Sequence, residues 1–305
     1  MQLVGQPQQL PCPQCAAPMA HLSLAGRGGV ATVPVDHCTA CRLVWFDALE
    51  SVQLAGLGWI ALLRELQRGL GDPLPAARPT PPDCPLCRQP LKPVQNQTRF
   101  GRFPALECAR CHGHLHSHAG VLAERGLVRA VLPADRQVLR QEGRALGCLN
   151  CGAAAEGREE QCRYCATPLL MLDLPRLAQA LRPGQDRPPE TARRRAAPWA
   201  WACHGCGAAL DPGRHTACTQ CGHAVLAPSL LDLTPLLDRL EAEWRAEIAA
   251  RAPLPQRPPR RTRDWRDTGL ARLLHRLRPD EEERAALAWQ AALGLGLLLA
   301  WWLLF

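Results

Sequence analysis

Cys12-Pro13-Gln14-Cys15, answered 22 residues later by Cys38-Thr39-Ala40-Cys41, is the stretch on which the fold turns. It holds the first two of eight Cys-x-x-Cys pairs. The others are Cys84/Cys87, Cys108/Cys111, Cys148/Cys151, Cys162/Cys165, Cys203/Cys206 and Cys218/Cys221, and together they use all 16 cysteines. Two thiolates from one tight turn and two from a distant turn meet the tetrahedral demand of Zn²⁺ without strain. Successive pairs are separated within a group by 22, 20, 10 and 11 residues, so two long modules precede two short ones, an internal repeat. Pairing within a module closes shorter loops than pairing between modules. Four Zn²⁺ ions, each on its own four cysteines, are therefore expected.

Gly often follows the second Cys of such a knuckle, because the chain leaves it with φ > 0. Gly152, Gly207 and Gly222 stand there. Ala16, Arg42, Arg88, His112 and Ala166 stand at the other five, which read as less ideal knuckles.

Composition points the same way. Of 305 residues 47% are hydrophobic, yet aromatics are 5%, and Gly (24) and Pro (29) are abundant, which argues against large cores. Modules of 18 to 30 residues between outer cysteines cannot bury enough apolar surface to fold alone. A structural zinc supplies on the order of 10–16 kcal/mol. Loss of one Cys is expected to unfold its own module and spare the others. Met1 to Leu10 carries no Lys or Arg and leads into no apolar run, so no signal peptide is expected. A reducing compartment favours metal over disulfide chemistry. The formal charge of +8 falls to zero once sixteen thiolates hold four dications, which weakens any argument for nucleic acid. Lys92 is the one Lys among 36 basic residues, a bias of GC-rich, bacterial genomes.

Residues 10–71 read as ribbon 1 plus a helix, 82–146 as ribbon 2 plus helices, 147–182 as ribbon 3 plus a short helix, and 199–251 as ribbon 4 plus an amphipathic helix. Pro-rich linkers lie between, at 72–83, 183–198 and 252–263. Asp47 with Glu50 resembles a capping box, and Leu49, Val52, Leu57, Ile60, Leu63 and Leu66 give one helical face that Gly56 and Gly58 weaken. A second helical region is expected within 119–146, interrupted at Pro133. Leu172-Asp173-Leu174 with Leu177 and Leu181, and Leu231-Asp232-Leu233 with Leu236 and Leu240, repeat at equal offsets, and Leu237, Leu240, Trp244 and Ile248 continue the second as an amphipathic helix.

Residues 252–284 form an Arg- and Pro-rich juxtamembrane linker. Ala285 to Phe305 carries no charge, and 21 residues of helix rise about 31 Å, close to the thickness of a bilayer core. Trp289, Trp301 and Trp302 stand where interfacial anchors would. A single-pass C-terminal tail anchor is expected, with the ribbons on the cytoplasmic side of a bacterial inner membrane, because Arg260, Arg261, Arg263, Arg266, Arg272, Arg276 and Arg278 precede it. Ala288, Ala292, Gly296 and Ala300 recur every four residues, a face through which such helices self-associate, though an Ala-rich span needs no such role. Arg193 to Arg195 reads as a solvated linker, and the cluster at 257–266 as a contact for anionic headgroups.

Module one continues Val35-Asp36-His37-Cys38-Thr39-Ala40-Cys41, then Val44-Trp45-Phe46-Asp47 and Glu50. This resembles the bacterial zinc ribbons named after transcription factor IIB, with their C-P-x-C, V-D-x-C-x-x-C and W-[LF]-D-x-x-E segments. Arg42-Leu43 replaces the Gly-Gly that follows the fourth Cys there. The second copy, 84–118, is degenerate, with Leu115 at the place of Trp45 and Ser117 at that of Asp47. Modules three and four resemble generic double zinc ribbons. The resemblance implies a Zn²⁺-binding β-hairpin and not a role in transcription. The fold class is therefore a small metal-stabilised multi-domain protein of four β-hairpin zinc ribbons, flanking α-helices and one transmembrane helix.

His112, His114, His116 and His118 alternate, so on a strand they would share one face and offer an additional Zn²⁺, Ni²⁺ or Cu²⁺ site. An exposed His-rich segment is the reading favoured here. There is no G-K dipeptide, no G-x-G-x-x-G, no H-E-x-x-H and no G-x-S-x-G. Four thiolates leave a zinc no open position for catalysis. The sequence thus points to a membrane-tethered, non-enzymatic adaptor or scaffold with a protein partner. A nucleic-acid-binding or transcription-associated regulator is the alternative, and a thiol redox protein a further one.

Overall fold

The computed structural model describes residues 9–27, 30–75, 82–98, 101–155, 157–182, 201–251 and 281–304. The linker at 183–198 with Arg193 to Arg195, the cluster at 257–266 and all of the 252–284 linker before 281 lie outside the described residues. The chain divides into two units, Met1–Arg251 and Ala252–Phe305.

In the first unit the two long modules build one six-stranded antiparallel sheet. Its strands are β1 (Ala20–Ala25), β2 (Thr32–Cys38), β3 (Leu43–Phe46), β4 (Lys92–Thr98), β5 (Gly101–Glu107) and β6 (His114–Ser117), in the order β1-β2-β3-β6-β5-β4. Alternation explains β2, where Val33 and Val35 are buried and Thr32 and Pro34 exposed. The ribbons join through β3 and β6, with Leu43, Val44, Trp45 and Phe46 opposite Ser117, His116, Leu115 and His114. Because side chains alternate, the two faces of the joint have different neighbours. Trp45 and Leu115 enter one apolar cluster with Met19, Leu91 and the buried cysteines of both ribbons, while Val44 and Phe46 enter the main core.

That main core corrects the expectation of separate small modules. It draws on α2 (Gly56–Leu66) of module one, α3 (His118–Glu124) of module two, α5 (Leu174–Leu181) of module three and α6 (Thr234–Arg251) of module four. Each of these helices places apolar residues in this one cluster. Burying a Leu side chain contributes about 1.5–3 kcal/mol, so shared burial outweighs separateness.

The helix expected after Asp47 is divided. Glu50 accepts the Asp47 N–H at 2.6 Å, half of the capping box, but α1 is confined to Glu50–Gln53 and Leu54 bridges to Gly26 before α2 begins. Leu49 and Val52 are consequently exposed, whereas Ile60, Leu63 and Leu66 are buried. Gly56 and Gly58 are packing residues. A Cβ at Gly56 would lie 2.6 Å from the Trp244 ring, and one at Gly58 would overlap the Ala25 carbonyl.

In 119–146, Pro133 starts α4 (Pro133–Gln141) rather than breaking a helix, since proline's missing N–H costs nothing in a first turn. Before it, β7 (Val128–Ala130) pairs with β10 (Leu170–Leu172), tying module two to module three. Module three has the short hairpin β8 (Leu146–Gly147) and β9 (Ala154–Ala155), and module four has β11 (Trp201–Ala202) and β12 (Ala209–Leu210). The repeated Leu-Asp-Leu tails hold. Asp173 caps α5 by accepting from the Arg176 N–H at 3.1 Å, and Leu174, Leu177 and Leu181 are buried. In the second tail Ser229 takes over the capping of a 3₁₀ turn, Leu230–Leu233, so Leu231 is exposed while Leu233, Leu236 and Leu240 are buried. Trp244 Nε1 donates to the Leu181 carbonyl at 2.7 Å, joining the two tails, and Ile248 is exposed.

The second unit is described as one helix, α7 (Glu281–Leu304). Its described side chains from Arg284 to Leu299, and Trp302, are exposed, including Leu287, Trp289, Leu293, Leu297 and Leu298. Among the described residues no helix is long and apolar enough to cross a membrane. The expected span, 285–305, ends in side chains outside the description at 300, 301 and 303–305.

Candidate metal centres

Seven of the eight Cys-x-x-Cys pairs share the same two backbone bonds, and the Cys38–Cys41 pair shares their left-handed exit. The first Cys donates its N–H to a carbonyl five residues on, as Cys12 does to Ala17 at 2.7 Å, Cys84 to Gln89 at 2.8 Å and Cys203 to Ala208 at 2.9 Å. The residue after the second Cys returns its N–H to the carbonyl of the first, as in Ala16 to Cys12, Arg88 to Cys84 and Gly152 to Cys148. Closing that turn requires a left-handed backbone. All eight positions adopt it, with φ of 61° at Ala16, 54° at Arg42, 58° at Arg88, 59° at His112 and 54° at Ala166, beside 73–75° at Gly152, Gly207 and Gly222. The five knuckles without glycine thus have the same geometry as the three with it. Each L-residue there costs about 1–2 kcal/mol, an expense a bound cation can offset.

The turns converge into four tetrads: Cys12, Cys15, Cys38, Cys41; Cys84, Cys87, Cys108, Cys111; Cys148, Cys151, Cys162, Cys165; and Cys203, Cys206, Cys218, Cys221. Each tetrad uses the two knuckles of its own module, as the loop lengths imply. Within each, all sulfurs lie within 4.8 Å of one another, and no cysteine is in a disulfide. The Sγ–Sγ separations include 3.8 Å for Cys15–Cys38, 3.6 Å for Cys84–Cys111, 3.6 Å for Cys148–Cys165 and 3.7 Å for Cys206–Cys218. Four sulfurs at ~2.3 Å from one tetrahedral cation stand about 3.8 Å apart. The residues present fit a metal ion, and the tetrads with their hairpins fit a zinc-ribbon fold.

The thiols carry the electrostatic signature of crowded sulfur. Burial pushes Cys41 up to about 12, with Cys15 and Cys12 adding to it. In the third tetrad the hydrogen bond from Cys148 brings Cys165 down to about 4, while Cys148 itself is held well above the usual thiol range, first by its bond with Cys165 and then by burial. One sulfur ionises at its neighbours' expense. Four thiolates at this spacing need a dication between them.

The four alternating histidines neither share one strand face nor form the exposed segment expected, since His116 and His118 are buried. β6 ends at Ser117, whose hydroxyl caps α3 by accepting from the Gly120 N–H at 3.1 Å. His112 belongs to the knuckle turn and stands 3.3 Å from Glu107, and His114 is 3.6 Å from the same carboxylate. His116 is buried beside Phe46 and Phe103, 3.7 Å from Glu124. His118 turns the other way, with Nε2 2.9 Å from Nε2 of His37.

That last contact belongs to a polar junction for which the sequence holds no separate signal. Glu65 accepts from His37 Nδ1–H at 3.3 Å, which leaves His37 Nε2 to accept from His118. Burial lowers both imidazoles below their ordinary range, His37 and Arg42 adding to the effect at His118. The His118 backbone N–H donates to Asn150 Oδ1 at 3.1 Å, inside the Cys148–Cys151 knuckle. Arg42, next to Cys41, donates to the carbonyls of Gly69 and Asp72, the latter at 2.7 Å, and the Gly71 N–H donates to the Cys151 carbonyl at 3.2 Å. The first and third sites are thereby linked by hydrogen bonds, and the first and second by a shared sheet.

No protein-family profile matches the chain, and neither the curated proteins nor the solved structures compared with it include a similar one.

Proposed function

We propose that this is a zinc-ribbon protein, tethered to a membrane by residues 285–305, that acts as a non-enzymatic adaptor or scaffold for a protein partner on the cytoplasmic face. The observation that carries the reading is the use of all sixteen cysteines in four closed tetrads. A tetrahedral cation held by four sulfurs has no open position for substrate, so its work is to hold a surface in shape. Zinc suits the set, since thiolate quartets favour a soft, tetrahedral cation. The resemblance of 12–50 to zinc ribbons named after transcription factor IIB supports the same metal.

Tethering rests on the tail. The described Leu and Trp side chains of this helix are exposed, and in the proposed tether lipid would cover them. Trp289 and Trp302 lie near the two ends of the uncharged stretch 285–305, as interfacial anchors do.

The test is affinity capture of the full-length protein from solubilised membranes, with metal analysis of the same sample. Four zinc equivalents in the membrane fraction with a defined protein complex are expected. Recovery from the soluble fraction would remove the tether. Co-purifying nucleic acid with steep salt dependence would favour the regulator instead.

A further inference from the structure

The four sites differ in what surrounds them. The first two share one apolar cluster around Trp45 and Leu115. The third is packed by Leu139, Leu146, Leu169, Met171 and Leu226, and is linked to the first through Asn150 and Cys151. In these three tetrads every cysteine is buried or partly buried. The fourth is different. Cys206 and Cys221 are both exposed, and the local core of that ribbon consists of Leu210 and the two ligands Cys203 and Cys218, flanked by half-buried Trp201, Ala208 and Val225, of which Trp201 and Val225 also touch the main core. At two of its knuckle residues, Gly207 and Gly222, no described atom lies within 4 Å of where a Cβ would be. Polar ties to neighbouring modules include the Glu142 carboxylate with His223, and Arg182 with Asp211 at 3.2 Å.

From this contrast, and resting on the metal-binding reading above, we infer that the fourth tetrad is an exchangeable cation site, whereas the other three are locked. Metal leaves a thiolate quartet by ligand exchange, in which an incoming donor bonds the cation as a sulfur departs. That requires either access to the sulfurs or local opening of the ribbon. At the fourth site both routes are open, since two of its cysteines are exposed and its own apolar cluster is small. At the other three, exchange requires breaking a core that several modules share. Emptying the fourth site would release the β11–β12 hairpin while Leu230, Leu233 and Leu236 keep the start of α6 on the main core. The ribbon thus becomes an element whose order follows the availability of a soft divalent cation.

The experiment uses the full-length, zinc-loaded chain in detergent, with 4-(2-pyridylazo)resorcinol as acceptor and reporter. One of the four equivalents should leave in a phase at least about tenfold faster than the rest, a separation of about 1.4 kcal/mol in opening free energy. Cys206→Ser with Cys221→Ser should abolish that phase and leave three equivalents in place. In the wild type, hydrogen exchange after the fast phase should rise at 201–224 and stay unchanged in β2, β3 and β6. Release of all four in one phase, or a fast phase that survives the double substitution, would overturn the inference. A purified chain that holds no metal, and takes up none on addition of zinc, would instead overturn the metal-binding reading.

Discussion

Trp45 and Leu115 face each other as paired residues across β3 and β6. They also occupy equivalent places in the two long modules, so the ribbons meet about a local pseudo-twofold axis. Equivalent neighbours follow the same rule, with Val44 opposite His116 and Phe46 opposite His114. Exposed strand edges invite pairing, and here each ribbon covers the other's edge.

Gly113 shows how tight the joint is. A Cβ there would overlap the Trp45 ring. Gly113→Ala should destabilise the first unit by about 1–3 kcal/mol, as overpacking does. Trp45→Ala in the same background should relieve the clash, so the two effects should be non-additive in chemical denaturation.

The shared sheet alters what loss of one ligand does. Cys38→Ser removes a ligand at the end of β2, whose partner β3 is the partner of β6. The expected result is loss of more than one zinc equivalent, with the second site weakened although its own cysteines are intact. Metal analysis that found three full equivalents, all retained under a mild chelator, would show the ribbons to be independent.

Gly58→Ala sets propensity against packing. Alanine would favour the helix by about 1 kcal/mol in isolation. The added methyl would overlap the Ala25 carbonyl, which also accepts the Ala55 N–H at 2.9 Å. Backbone cannot yield as a side chain can, so a lower thermal midpoint is expected, and a rise in midpoint would contradict the packing described.

Glu50 gives a prediction in pH. Burial raises its carboxyl from 4.5 to about 7, with Asp47 and Asp36 adding to the effect against the hydrogen bond from the Asp47 N–H. Between those values the folded chain holds a proton that the unfolded chain has released. Stability should therefore fall as pH rises from about 4.5 to about 7 and level off above. Glu50→Gln keeps an acceptor for the Asp47 N–H and removes the charge. It should flatten that slope and raise stability at pH 8 relative to pH 5, as read by denaturation of the metal-loaded protein at both values.

The divided helix after Asp47 illustrates what sequence periodicity misses. Leu49 and Val52 continue the apolar spacing of Ile60 and Leu63, yet they stand outside the core because Leu54 is drawn to Gly26. Gly56 and Gly58 look like flaws in a helix until Trp244 and the Ala25 carbonyl are seen against them. Likewise His116 and His118 read as one strand face until Ser117 ends the strand.

The four tetrads were legible from spacing alone, because a metal knuckle is a local code: two sulfurs, two residues between them and a left-handed residue after. The Leu-Asp-Leu tails were legible for the same reason, since capping and apolar period act within a few residues. Tertiary structure alone determined that the modules share a sheet and a core, that His37 meets His118 across 81 residues of chain, and that Cys206 and Cys221 stay in solvent. Those outcomes depend on how much apolar surface each hairpin and helix has left over, a sum over distant parts of the chain that no short stretch of residues encodes.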